Sequence, residues 1–248
     1  MIASLPMYDR PETAAANDRF WQGIRAVLGH GPASLARGTD PWAHWRSPDL
    51  LLSQTCGYPY RACLHGRVQL VATPDHGIAG CPPGHYCSVL VCRRDDPRGL
   101  QDFAEARFAY NEPLSQSGWA APQTYAHARG VLLGQPVRCG SHRGSARAVA
   151  AGQADLAALD VLSWQMMCAH DDFAARLREV ARTPPTPALP YITGPEGDAA
   201  ALRAALRQAI AGLGAADRAT LGLAGLVQVP ADAYLELPNP PAPAADPG

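Results

Sequence analysis

The chain has 248 residues, a formal net charge of −1 and 47% hydrophobic residues, which is enough for one large core or two smaller ones. A charge this close to zero creates no strong attraction for nucleic acid or an anionic membrane, and no apolar run reaches the roughly 18–20 residues of a membrane span. All 21 basic residues are arginine, which excludes a lysine Schiff base, a Walker-type P-loop and a Ser-x-x-Lys nucleophile.

The N-terminal region has the pattern of a strand followed by a helix. Residues 2–7 predict the strand, and a one-sided apolar pattern that ends at Gly29 predicts the helix. Tyr8 then lies at the carboxyl end of the strand, where open α/β sheets bind ligands. A second predicted strand, 50–53, leads in the same way to Gln54. We therefore expect an α/β domain with Tyr8 and Gln54 close to a ligand.

Two polar stretches in the middle of the chain are the most informative part of the sequence. Residues 111–118 and 140–145 each place hydroxyls and small side chains where a helix is predicted to begin. A helix start offers unpaired N–H groups and a partial positive charge, which suit a phosphate-like anion. A predicted strand over 155–159 places Asp160 at its end. We expect the two helix starts to form a clamp for an oxyanion, with His142 and Asp160 beside it.

The organisation of the chain suggests two lobes. Two extended segments, 86–94 and 183–193, flank the middle block, and the second is rich in proline, which suits a crossing strand because proline cannot donate ladder hydrogen bonds. We predict an α/β protein in which the chain crosses from lobe 1 (1–90 with 191–237) to lobe 2 (91–190) and returns. Such a protein has a hinge of two crossing segments and a ligand cleft between the lobes.

The cysteines and the C-terminal tail carry weaker signals. The seven cysteines include no C-x-x-C pair and no zinc-ribbon spacing, so we predict neither a metal site nor a cofactor. Cys56 and Cys81 lie in turn-like contexts and could form a disulfide if the protein is exported. Residues 238–248 are rich in proline and alanine and are predicted to be disordered.

The sequence offers little support for an enzyme. Cys139 with His142, or Ser141 with His142, are the close candidates for a nucleophile and its base. They are neighbours along the chain, which rarely gives the correct geometry, and the sequence contains neither G-x-S-x-G nor H-E-x-x-H. We predict a protein without catalytic activity.

A set of short motifs, spread over almost the whole chain, resembles one family. That family is the phosphate, phosphite and phosphonate substrate-binding proteins of ABC transporters, a branch of the type 2 periplasmic-binding fold. The motifs are Gln54-Thr-Cys-Gly-Tyr-Pro59, Tyr86-x-Ser88-Val-Leu-Val, Asn111-x-x-x-Ser115-Gln-Ser117-Gly118, Gly140-Ser-His142-x-x-Ser145, Asp155-x-Ala-Ala-x-Asp160, Trp164 and Thr186-Pro-x-Leu-Pro-Tyr191.

The resemblance implies roles for particular residues. The Ser-x-Ser loop and the helix start of such proteins hold the phosphonate oxygens, which points to Ser115, Gln116 and Ser117. The family often has threonine at the middle position, so Gln116 departs from the pattern in a way that can alter ligand choice. The family histidine corresponds to His142, which would reach an oxyanion oxygen.

Further implied contacts involve an acid and two aromatic residues. The family acid corresponds to Asp160, which in aminophosphonate binders faces the amine of the ligand. Tyr8 and Tyr86 correspond to aromatic walls of the cleft. The resemblance thus implies a monomeric, non-catalytic protein that closes on a phosphonate, phosphite or phosphate ester and delivers it to an ABC permease.

Two alternatives keep the fold and change the role. Family resemblance implies a periplasmic location, but residues 1–8 are too short for a signal peptide and lack a basic start, which favours the cytoplasm. There the protein would be a ligand sensor or a regulatory binding subunit, and Cys56 or Cys87 would be the thiols to test for arsenite sensing. The other alternative resembles pyrimidine-forming enzymes of the same fold class, but it would need a cofactor or a sacrificial histidine that no motif supports.

Overall fold

The computed structural model describes residues 1–38 and 40–243. The chain divides into two compact α/β units. Unit 1 consists of Met1–His85 with Pro187–Glu236, and unit 2 consists of Tyr86–Thr186 with the C-terminal segment from Leu237. Within the described residues, no helix is both long and apolar enough to cross a membrane.

The strands are numbered along the chain. They are β1 (Ile2–Ala3), β2 (Leu50–Gln54), β3 (Gln69–Asp75), β4 (His85–Tyr86), β5 (Ser88–Arg93), β6 (Phe108–Tyr110), β7 (Pro136–Arg138), β8 (Leu156–Asp160), β9 (Leu177–Arg182), β10 (Thr186–Pro187), β11 (Tyr191–Thr193) and β12 (Gly225–Val227). The short strands β4 and β10, where the chain passes between the units, pair with each other.

The helices are numbered in the same way. They are α1 (Pro11–Leu28), α2 (Pro41–Trp45), α3 (Gly57–Pro59), α4 (Ala121–His127), α5 (His142–Ala150), α6 (Val161–His170), α7 (Ala199–Gly212), α8 (Ala215–Leu221) and α9 (Ala231–Leu235). Short 3-10 or π-helical segments cover Pro6–Tyr8, Tyr60–Leu64, Leu100–Phe103, Gln116–Ala120 and Asp172–Arg176.

Unit 1 is built on a five-stranded sheet in the order β1-β2-β11-β3-β12. Strand β1 is parallel to β2, and β11 is antiparallel to both β2 and β3, so the carboxyl ends of β1, β2 and β3 lie at the same edge. Helix α1 buries Phe20, Trp21 and Ile24 in the core of this unit. It ends at Gly29, whose left-handed φ of 75° and N–H bond to Arg25 form a helix cap that favours glycine.

The first strand is shorter than the sequence predicts. It ends at Ala3, and Tyr8 belongs to the 3-10 segment that begins at Pro6. Proline has no N–H to donate to a neighbouring strand, which explains why the ladder stops before it. The prediction that Tyr8 directly follows a strand is therefore wrong, although Tyr8 still lies beyond the carboxyl end of β1.

Unit 2 contains a second five-stranded sheet in the order β7-β6-β8-β5-β9. Strands β7, β6 and β8 are parallel neighbours, and β5 is antiparallel to β8 and to β9. Every residue from Val89 to Cys92 in β5 is 0% exposed, as expected for a central strand that is covered on both faces. The sequence pattern missed β9, β12 and α9 altogether.

The tail and the two turn cysteines complete the comparison with the sequence. The structure shows no disulfide between Cys56 and Cys81, and both side chains are partly exposed. Of the tail predicted to be disordered, residues 244–248 lie outside the described part of the chain. The carbonyl of Pro241, in the described part, accepts a hydrogen bond of 3.0 Å from the indole N–H of Trp119.

Candidate functional site

Three helices of unit 2 begin at one edge of its sheet. The helical segment from Gln116 follows β6, α5 follows β7, and α6 follows β8. Because β7, β6 and β8 are adjacent and parallel, their carboxyl ends meet at this edge, which we call the N-cap edge. Carboxyl edges of parallel strands are where α/β proteins commonly bind ligands.

The first helix start is capped by Ser115. Its Oγ accepts the N–H of Gly118 at 2.9 Å, and the helix continues through Gln116–Ala120 into α4. A Cβ on Gly118 would lie 1.9 Å from Oδ1 of Asn111, so any larger residue would force the Asn111 side chain to move. Close packing against the loop that precedes the helix therefore favours the glycine of the Ser-x-x-Gly sequence.

The second helix start repeats the first one closely. Ser141 caps α5, and its Oγ accepts the N–H of Gly144 at 3.0 Å. A Cβ on Gly144 would lie 2.4 Å from the carbonyl oxygen of Cys139. The sequence predicts a helix from about residue 145, whereas the structure places His142 itself in the first turn. The prediction began the helix too late because it treated Ser141 as part of a loop and not as its cap.

The third helix start is capped by an acid. Asp160 is 2% exposed, and its Oδ1 accepts the N–H of Ser163 at 2.9 Å. A carboxylate at this position is stabilised by the N-terminal end of the helix. Asp160 thus gives the N-cap edge one carboxyl group beside two serine-capped helix starts.

A hydrogen bond links the first two helix starts directly. Oγ of Ser117 lies 3.0 Å from Nε2 of His142. Burial lowers the pKa of His142 from 6.5 to about 4, and the backbone carbonyl of Ala158 offsets part of this effect. His142 is therefore neutral near pH 7, so at this contact either the Ser117 hydroxyl donates to Nε2 or the Nε2–H group donates to the hydroxyl oxygen.

The arginines next to the second helix start are held in ion pairs, whereas the first-turn backbone N–H groups of this edge can receive an anion. Of the arginines next to the second helix start, Arg138 forms an ion pair with Glu112 and Arg143 forms one with the buried Asp171. The N–H groups of a first helical turn have no acceptor within the helix and carry the positive end of the helix dipole. Together with the hydroxyls, they can donate several hydrogen bonds to a small oxyanion.

The remaining predicted residues divide between the two units. Tyr86 and Gln116 are each 2% exposed in unit 2, and Ser115 is 5% exposed. Tyr8 and Gln54 belong to unit 1, where the ring of Tyr8 contacts that of His76 edge-on at 5.4 Å. The Gln54 side chain donates to the carbonyl of Leu189 at 3.1 Å. The structure therefore gathers Ser115, Gln116, Ser117, His142 and Asp160 at the N-cap edge of unit 2, and places Tyr8 and Gln54 elsewhere in the chain.

Two further residues, Ser141 and Ser88, lie at this edge. Ser141 is part of the polar stretch 140–145 and a candidate nucleophile in the sequence, and the repeated Ser-x-x-Gly spacing at 115–118 and 141–144 identifies it as the cap. Ser88 begins β5, and the sequence alone predicts no role for it. Within residues 1–38 and 40–243, no group of three or more His, Cys, Asp or Glu side chains could hold a metal ion.

Comparisons with known proteins point in one direction. The model of a family described as ABC transporter, phosphonate, periplasmic substrate-binding protein matches residues 49–234. No curated protein matches the chain.

Several solved structures share the fold along nearly the whole chain. PhnD1 from Prochlorococcus marinus, solved with methylphosphonate, has a TM-score of 0.74 and 15% identity, covering 95% of this chain and 94% of that one. PA3383 from Pseudomonas aeruginosa, a binding protein component of an ABC phosphonate transporter, has a TM-score of 0.74 and 17% identity, covering 95% and 83%. A histidine kinase sensor domain with similarity to periplasmic binding proteins has a TM-score of 0.60 and 18% identity, covering 92% and 98%. The predicted type 2 periplasmic-binding fold is confirmed.

Proposed function

Because the chain belongs to the family of periplasmic phosphonate substrate-binding proteins of ABC transporters, we propose that it binds a small phosphorus oxyanion at the N-cap edge of unit 2. Phosphonate, phosphite and phosphate esters are the ligand class. The observation that carries the proposal is the hydrogen bond between Ser117 and His142, which joins two serine-capped helix starts at one sheet edge.

Side-chain hydroxyls and backbone N–H groups at the helix starts would both donate hydrogen bonds to the ligand. The Ser117 hydroxyl donates to one ligand oxygen, and first-turn N–H groups from the helices beginning at Gln116 and His142 donate to others. Hydrogen bonds to a charged partner contribute about 1.5–3 kcal/mol each, more than neutral ones do. In such a site the hydroxyl and backbone N–H groups hold the anion, while the neighbouring Arg138 and Arg143 form ion pairs with Glu112 and Asp171.

Binding without chemistry is the second part of the proposal. Ser117 and His142 have the spacing of a nucleophile and its base, but a histidine with a pKa of about 4 is a weak base. The thiol of Cys139 is equally unsuited, because burial raises its pKa and so disfavours the thiolate. We expect the ligand to leave the protein unchanged, and phosphorus NMR of a phosphonate incubated with the protein tests this directly.

Titration calorimetry tests the binding site. Wild-type protein is titrated with methylphosphonate, phosphite, phosphate and sulfate, beside Ser117→Ala and the exposed control Ser34→Ala. Loss of the Ser117 hydroxyl should weaken binding by about 1–3 kcal/mol, or roughly 5- to 150-fold, and the control should bind like the wild type. Equal affinities of all three proteins would place the site elsewhere.

Transport is the cellular role that we propose, with delivery of the ligand to an ABC permease in the periplasm. Deletion of the gene should abolish growth on the bound phosphonate as the sole phosphorus source and leave growth on phosphate intact. A deletion strain that grows and takes up the phosphonate normally would favour the alternative role of a ligand sensor with the same binding site.

A further inference from the structure

Ser88 carries a buried hydroxyl that forms no hydrogen bond within the described part of the protein. The residue is 1% exposed, and its Oγ has no hydrogen-bond partner. Its backbone is fully engaged by one neighbour, since its N–H donates to Oγ1 of Thr183 at 2.9 Å and its carbonyl accepts the N–H of Thr183 at 3.0 Å. A buried hydroxyl without a hydrogen-bond partner lowers the stability of the fold. Its presence in a native structure therefore calls for an explanation, and contact with a ligand is one.

The position of Ser88 places this hydroxyl at the N-cap edge. Ser88 begins β5 and is paired with Asp160, the last residue of β8. Residues paired across antiparallel strands project to the same face, with Cβ atoms about 4.5–5.5 Å apart. The helical segment Gln116–Ala120, which contains Ser117, packs against β8 as well. Ser117 is 2% exposed, so Ser88 is as buried as the residue proposed to bind the anion.

The neighbouring carboxyl group determines what kind of ligand atom fits here. Asp160 caps α6 through Ser163, and the start of a helix favours the ionised form of its cap. An ionised oxygen of the ligand would be repelled by that carboxylate. A ligand group that has a proton to give would be accepted by it, and a serine hydroxyl can both donate to and accept from such a group.

We propose that Ser88 is a specificity-determining residue of the site, which together with Asp160 selects phosphorus oxyanions that carry a hydrogen-bond donor over oxyanions that carry none. The donor is either a protonated phosphonate oxygen or an amine. This inference rests on the proposed function, because it assumes that the anion itself is held at Ser117 and His142.

The test combines stability and binding of Ser88→Ala. Removing an unpartnered hydroxyl should leave the melting temperature of the ligand-free protein unchanged or raise it. Ser4→Ala is the matched control, because Ser4 is equally buried but its hydroxyl is bonded to that of Ser53 at 2.8 Å. The control should lower the melting temperature without changing the affinity. A fall in melting temperature for Ser88→Ala as large as that of the control would overturn the proposal.

Calorimetry at about pH 6 and pH 8.5 with four ligands separates the two donor sources. The four ligands are 2-aminoethylphosphonate, propylphosphonate, methylphosphonate and sulfate. Propylphosphonate has the same chain length as 2-aminoethylphosphonate but lacks the amine. We expect Ser88→Ala to weaken the donor-bearing ligands about 5- to 30-fold and to leave sulfate, which has no proton to give, unchanged. A loss confined to 2-aminoethylphosphonate at both pH values identifies the amine. A loss for the alkylphosphonates that fades at the higher pH, as their second proton dissociates, identifies the protonated oxygen.

The outcomes also separate this inference from the function on which it rests. Wild-type protein that binds none of the phosphonates would overturn the proposed function itself. Binding that is lost in Ser117→Ala but unchanged in Ser88→Ala would overturn only the role of Ser88. An equal loss for all ligands, sulfate included, would show that Ser88 shapes the site without selecting for a donor, and this also contradicts the inference.

Discussion

Replacing His142 by glutamine is expected to remove an acid-sensitive contribution to the stability of the fold. Burial holds the pKa of His142 at about 4 in the folded protein, below its ordinary value of 6.5. Between these two values the unfolded chain binds a proton that the folded chain does not. The free energy of unfolding therefore falls as the pH falls through this window and is recovered above it.

The size of the effect follows from the separation of the two pKa values. One pKa unit corresponds to about 1.36 kcal/mol. The contribution of His142 should fall by about 2 kcal/mol between pH 7 and pH 5, and by roughly 3 kcal/mol in total once the pH is well below 4. Glutamine suits the substitution because its amide can replace Nε2 in the hydrogen bond to Ser117 but has no proton to gain in this range.

Urea unfolding at several pH values between about 4.5 and 7.5 measures the effect. Burial also lowers the pKa of His76 in unit 1, so the wild type carries the pH dependence of both residues. The difference between the wild type and His142→Gln isolates the pH dependence that is due to His142. The control variant His76→Gln should retain that part of the pH dependence. Identical pH slopes for the wild type and His142→Gln would refute the buried, neutral state of His142.

Three other substitutions test the construction of the site. Gly118→Ala should destabilise the protein by about 1–3 kcal/mol, because its Cβ would lie 1.9 Å from Oδ1 of Asn111; chemical unfolding checks this, and a neutral result would contradict the close packing. Ser115→Ala should cost about 1 kcal/mol through loss of the cap on Gly118, whereas Ser115→Asp should restore thermal stability but weaken anion binding by charge repulsion. Asp160→Asn should keep the cap on Ser163 and raise the affinity for sulfate, which calorimetry would show; an unchanged affinity would mean that the carboxylate does not face the anion.

The parts of the fold that follow from local patterns were predictable from the sequence. The apolar run of β5 and the helix stop at Gly29 both result from interactions within a few residues. The strands β9 and β12 were missed because their burial is mixed along the strand, so neither alternation nor an apolar run marks them. Their positions depend on partners far away in the chain, since β9 pairs with β5 and β12 pairs with β3.

The site shows the same division between local and distant interactions. The caps of the helices were visible as hydroxyls and small residues in the sequence, and the structure bears out the helix starts after Ser115 and Asp160. The bond between Ser117 and His142 spans 25 residues and depends on β6 and β7 being parallel neighbours. The Ser88 hydroxyl lacks a hydrogen-bond partner because of its burial and its neighbours in the sheet. A pattern in a single sequence does not show either of these.

The central claim is that a phosphorus oxyanion binds where Ser117 meets His142, and calorimetric titration of methylphosphonate into the wild type, Ser117→Ala and His142→Gln tests it most directly. The account predicts saturable binding of one ligand per chain. Ser117→Ala should weaken this binding roughly 5- to 150-fold, and Ser34→Ala, at an exposed residue of unit 1, should leave the affinity unchanged. Wild-type affinity in a folded Ser117→Ala variant would contradict it, whereas His142→Gln, whose amide can keep the hydrogen bond to Ser117, should retain binding.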